Sequence, residues 1–76
     1  MTNFPRISLT KTGENLSRLM REKGISVKRM QEELSLLSPQ AIYKWKRGDC
    51  LPSLDNLVAI ALLLETTLDR LVVLEE

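Results

Sequence analysis

Leu36-Leu37-Ser38-Pro39-Gln40-Ala41-Ile42-Tyr43-Lys44-Trp45-Lys46-Arg47-Gly48 is the stretch on which the reading of this chain turns. Ser38 offers a hydroxyl to the free N–H groups of a helix start, and Pro39 suits the first helical position, where its missing N–H costs nothing. Gly48 supplies the left-handed residue that closes a helix, so a short helix is predicted from Pro39 to Arg47. Within it Ala41, Ile42 and Trp45 form one narrow apolar stripe, and Pro39, Gln40, Tyr43, Lys44 and Arg47 take the other directions. A helix this short is not stable alone and must be held by neighbours on its apolar side. The opposite face presents an amide, a phenol and cations. An amide can bond bidentately to adenine, a lysine can reach guanine, and Lys44, Lys46 and Arg47 can neutralise phosphates. An ordinary solvated surface helix carries the same residue types, so the surrounding chain has to decide between the two readings.

With 76 residues, 43% of them hydrophobic, the chain has the length of one small domain with a modest core. Cys50 is its single cysteine and histidine is absent, which excludes an internal disulfide and leaves no ligand set for zinc. No cofactor is expected. The first residues lack the apolar core of a signal peptide, and the longest apolar run, Leu57 to Leu64, is far short of a membrane span. A cytoplasmic protein with no membrane partner is the expectation. Net charge is +1, but it is unevenly distributed. Arg18, Arg21, Lys23, Lys28, Arg29, Lys44, Lys46 and Arg47 face only Glu22, Glu32 and Glu33 in residues 18–47, a surplus of +5. Residues 48–76 hold Arg70 against Asp49, Asp55, Glu65, Asp69, Glu75 and Glu76, a deficit of −5. Such a chain has one pole for a polyanion and one turned away from it.

Residues 1–11 lack a helical pattern, and Phe4, Ile7 and Leu9 suggest an extended N-terminal arm packed over a domain of residues 12–76. Arg6 and Lys11 leave open a minor-groove role for that arm. Thr12 is the expected cap of helix 1, with Glu14 in its first turn, Leu16, Leu19 and Met20 on its apolar face, and Gly24 at its end. Ser26 caps helix 2, in which Val27, Met30 and Leu34 recur at helical spacing. Ser35 to Leu37 form a turn without glycine. Ser53 caps helix 4, where Leu54, Leu57, Val58, Ala61 and Leu64 make the expected inner stripe and Ile60, Leu62 and Leu63 extend apolarity around the helix. Thr66-Thr67 caps a last helix with Leu68, Leu71 and Val72 inward, leaving Val73 and Leu74 as apolar surplus that suggests a partner subunit. Five short helices without strand signal predict an all-α, five-helix bundle with a helix-turn-helix.

Thr12-Gly13-Glu14-Asn15-Leu16, Gly24-Ile25-Ser26, Pro39-Gln40-Ala41-Ile42-Tyr43-Lys44-Trp45, Arg47-Gly48, Leu51-Pro52-Ser53-Leu54-Asp55-Asn56-Leu57 and Leu68-Asp69 resemble the Cro and phage-repressor type of helix-turn-helix regulator, the xenobiotic-response-element family. The resemblance covers residues 12–72. It implies a lambda-repressor-like five-helix fold that binds palindromic operators on double-stranded DNA as a homodimer, here through the C-terminal helices, and regulates transcription. By motif position Pro39, Gln40 and Lys44 match base-reading places, and Tyr43 lies on the same face. Val27, Lys28 and Arg47 match backbone-contacting places, and Lys46 joins them as a cation. Three departures stand out. Val27 replaces the glutamine that commonly contacts a phosphate, so that contact must come from a backbone N–H or Lys28. The turn before Ser38 looks one residue longer than usual, which would change the angle between helices 2 and 3. Pro39, lacking a donor, can touch only a thymine methyl or a sugar.

Two other function classes use the same residues differently. A protein-interaction module, antitoxin-like or a subunit of a larger regulator, would use the all-round apolar helix 4 and the surplus Val73 and Leu74 to bind a protein partner. An enzyme is not expected: no histidine, metal set, phosphate loop or paired nucleophile and base occurs. Cys50, alone in a loop with no base beside it, reads as a bystander. Trp45 reads as a core residue anchoring its helix, with a stacking platform as the alternative.

Overall fold

The computed structural model describes residues 6–75 and, among them, five helices. They are α1 Leu9–Lys23, α2 Val27–Glu33, α3 Gln40–Arg47, α4 Leu54–Leu63 and α5 Leu68–Leu71. The expectation of an all-α five-helix domain holds. Phe4, one of the three residues that suggest a packed arm, lies outside the described residues.

Helix α1 begins four residues earlier than the sequence suggested, so residues 9–11 of the expected arm are helical. Ser8, not Thr12, is the cap: its Oγ accepts the Lys11 N–H at 3.1 Å. Glu14 therefore lies beyond the first turn. Thr12 is buried instead, its hydroxyl accepting from the Val73 N–H at 3.0 Å and donating to the Val73 carbonyl at 3.4 Å. A hydroxyl acting as donor and acceptor satisfies two backbone groups that a hydrocarbon at this position would strand. The same C-terminal segment pairs with the chain ahead of α1. The Ser8 N–H donates to Val73 at 2.8 Å and the Glu75 N–H to Arg6 at 2.7 Å, with Ile7 opposite Leu74 in an antiparallel bridge. Val73 is thus half-buried within the chain itself, and only Leu74 stays exposed. Asn15 adds a further tie, donating from Nδ2 to the carbonyls of Arg70 and Leu71 at 2.7 and 2.9 Å and so capping the end of the one-turn α5.

Four helices close by the same device. The residue after the helix turns left-handed and two N–H groups fold back onto the last free carbonyls. Gly24 and Gly48 do this at φ 68° and 82°, where glycine carries no strain. Ser35 and Glu65 do it at φ 55° and 54° with side chains attached. After α2, the Ser35 N–H bonds Glu32 at 3.1 Å and the Leu36 N–H bonds Gln31 at 3.0 Å. This is how a turn without glycine reverses the chain. Helix α3 starts at Gln40, one residue later than expected. Pro39 occupies the cap position, its carbonyl accepting from Tyr43 at 3.2 Å, and the Ser38 hydroxyl accepts from the Gln40 N–H at 3.4 Å.

The core is built from Leu16, Leu19 and Met20 of α1, Met30 of α2, Ile42 and Trp45 of α3, Ile60 and Ala61 of α4, and Leu64 and Leu71. Helix α4 buries only part of the face expected, keeping Leu57, Ala61 and Leu64 but not Leu54 and Val58. Ile60, Ala61 and Leu64 are buried and Leu57 and Leu63 half-buried, whereas Leu54, Val58 and Leu62 are 69%, 43% and 74% exposed. An apolar stripe at i, i+4, i+8 therefore faces outward. In α5, Leu71 is buried while Leu68 is exposed rather than turned inward.

Candidate nucleic-acid interface

Helix α3 is fastened from behind. Ile42 is fully buried and Trp45 is 6% exposed, which places the indole in the core as the stripe predicted. Its second fastening involves no large side chain. A Cβ added to Gly13, in the middle of α1, would lie 2.5 Å from the Trp45 carbonyl oxygen and 2.6 Å from that of Lys46. A Cβ on Gly48 would lie 2.9 Å from the Thr10 Cα. Backbone therefore meets backbone where the last turn of α3 crosses the first turns of α1. Glycine inside a helix costs about 1 kcal/mol relative to alanine, and here it permits a closeness that alanine would block.

The outward face follows from that anchoring. Gln40, Tyr43, Lys44 and Arg47 stand at i, i+3, i+4 and i+7, and all four are exposed. Pro39 and Lys46 are half-buried: Pro39 sits at the leading end, and Lys46 flanks the face on the side of Ile42. From Leu34 to Gly48 the chain carries no carboxylate. The amide, phenol and ammonium groups are therefore open to solvent on a segment that contributes no carboxylate of its own.

Arg47 has a partner at the edge of this face. Its Nε and one terminal nitrogen donate to Asp49 Oδ2 at 3.1 and 3.0 Å, with both side chains more than half exposed. An exposed pair contributes only about 0–1 kcal/mol, so a phosphate can replace the carboxylate at small cost. At the start of α2, Ser26 Oγ accepts the Arg29 N–H at 3.0 Å. Val27 and Lys28 hold the first two helical positions, whose N–H groups have no acceptor within the helix. Val27 is half-buried against the core and Lys28 is exposed, so an anion there would meet backbone N–H and ammonium, not a side-chain amide.

Gly13, Asp49 and Leu37 are site features that residue-type reasoning passed over. A glycine inside an otherwise helical pattern was the available signal for the first. Leu37, in the turn before α3, is 103% exposed. Among the described residues no group of His, Cys, Asp and Glu could hold a metal, and no helix is long and apolar enough to cross a membrane. A family model described as helix-turn-helix matches residues 16–71, from the middle of α1 to the end of α5. Comparison with the curated proteins and with the solved structures finds no match.

Proposed function

The chain belongs to the helix-turn-helix family of the Cro and phage-repressor type, a family of DNA-binding regulators, and from that premise we propose a sequence-specific transcriptional regulator that reads the major groove with α3. The observation that carries this reading is the exposed face of Gln40, Tyr43, Lys44 and Arg47, with Asp49 at its edge as the one carboxylate bonded to it among the described residues, on a helix fixed from behind by Ile42, Trp45 and the Gly13 contact. Gln40 and Lys44 discriminate bases, Gln40 by pairing with adenine and Lys44 by donating to guanine; Tyr43 and Pro39 supply contact beside them. Arg47, Lys46, Lys28 and the N–H groups at the start of α2 hold phosphates and set the register.

The protein acts as a homodimer on half-sites about one helical turn apart. The outward stripe of Leu54, Val58 and Leu62 near the C-terminal helices supports this, since apolar area of that kind is costly to leave in water. Selection of duplexes from a random pool by the full chain at moderate salt tests the reading, and two-fold repeated half-sites are expected. On the selected site Gln40→Ala and Lys44→Ala each lose roughly 1–3 kcal/mol and relax preference at their own base pair. Failure to enrich any duplex would refute the function.

A further inference from the structure

We infer that Leu37 is a specificity-determining residue that reads a thymine C5-methyl group ahead of α3; the inference rests on the base-reading function proposed above. Among the described residues no other large apolar side chain is fully exposed, and the remaining exposed ones all keep part of their surface against the fold. Its backbone is nevertheless held on both sides. On one side the Leu36 N–H is bonded to Gln31 at 3.0 Å, the Leu36 carbonyl accepts from Gln31 Nε2 at 3.4 Å, and Leu36 packs on the core. On the other, the Ser38 hydroxyl accepts from the Gln40 N–H and Pro39 restricts the chain. A leucine presented on fixed backbone loses little chain freedom when a surface closes over it.

The setting selects the surface. Residues 34–48 contain Lys44, Lys46 and Arg47 and no carboxylate, so the leucine sits beside a cationic face suited to a polyanion. On the floor of the major groove the thymine methyl is the apolar group that distinguishes one base pair from another. Leu37 is three residues from Gln40, so their Cα atoms are at most about 11 Å apart. That span corresponds to at most about three base pairs at roughly 3.4 Å each, which places the methyl within about three base pairs of the base that Gln40 contacts. The turn residue thereby contributes readout at a position α3 does not reach.

The test uses the selected duplex, replacing each dT singly by dU, which removes only the methyl, and measures binding by the intact chain and by Leu37→Ala. The intact chain is expected to lose about fourfold at one dT within three base pairs of the Gln40 position, the factor for one methylene-sized group. Leu37→Ala should bind the dT duplex about tenfold more weakly and lose all sensitivity to dU at that position. Its melting temperature and sedimentation should equal those of the intact chain, because the side chain touches nothing in the fold. Equal dU penalties in both chains, at every position, would overturn the inference while leaving base reading intact. A lowered melting temperature, or a change in assembly state without loss of dU sensitivity, would also overturn it, showing packing or a protein contact. If no duplex is enriched, the function fails and this inference with it.

Discussion

Replacing Gly13 with alanine should destabilise the domain, although local helix energetics predict the opposite. Gly13 lies in the interior of the 15-residue α1, where glycine to alanine ordinarily gains about 1 kcal/mol. The added methyl would meet two backbone oxygens at 2.5 and 2.6 Å and a carbonyl carbon at 2.9 Å. A comfortable carbon–oxygen separation is about 3.3 Å, so the end of α3 must withdraw by roughly 0.7 Å. None of the obstructing atoms belongs to a side chain that can rotate away. Overpacking of this kind costs about 1–3 kcal/mol, and the withdrawal also loosens Ile42 and Trp45 in their core contacts. Set against the local gain of about 1 kcal/mol, this leaves a net loss of up to about 2 kcal/mol. For a domain of this size each kcal/mol moves the melting temperature by about 4–8 °C. Thermal unfolding followed by circular dichroism should show Gly13→Ala melting below the parent, by up to roughly 15 °C. Gly24→Ala is the comparison: a Cβ there meets nothing within 4 Å, so only its left-handed φ of 68° is penalised. A Gly13→Ala variant as stable as the parent, or more so, would refute the close approach of α1 and α3 and the claim that it sets the pose of the reading helix.

Glu65 is left-handed at φ 54° and exposed, so Glu65→Gly should stabilise the domain by about 1 kcal/mol, read as a higher denaturant midpoint at unchanged slope. Asp49→Asn frees Arg47 from its carboxylate; binding to any duplex should tighten by about two- to fivefold at low salt, and weaker binding would show that Asp49 orients Arg47 for the phosphate instead. Hydrogen bonding from the Thr67 hydroxyl, with the Asp69 backbone N–H and Arg70 adding to it, holds the Asp69 carboxyl below its usual 3.8. Because the folded-state value is the lower one, the stability linked to Asp69 is present above the unfolded value and is lost as pH falls through the folded one. Thr67→Val should therefore raise the Asp69 titration midpoint towards 3.8 in an NMR titration, and an unchanged midpoint would reject the hydroxyl as the cause.

The sequence alone determined the features that depend on neighbours within a turn or two. Ser26 and Ser53 cap helices because a β-region serine can reach an N–H two or three residues on, and both do so here. Gly24 and Gly48 end helices because a left-handed residue is needed there. Ile42 and Trp45 point one way while Gln40, Tyr43 and Lys44 point the other because helical periodicity fixes relative direction on a single element. Tertiary structure decided everything that required a second element to arrive. Leu54, Val58, Leu57 and Ile60 all satisfy a helical spacing, and only the position of α1 and α5 selects Ile60 and Leu57 for the interior and leaves Leu54 and Val58 outside. Thr12 is the cap that local pattern suggests, but Ser8 takes the role and the Thr12 hydroxyl is bonded instead to Val73, 61 residues away. The arm and tail pair, and Gly13 makes room for α3, for the same reason. Periodicity and capping are local and can be read along the chain, whereas the choice among locally equivalent faces belongs to the packing of elements far apart in it.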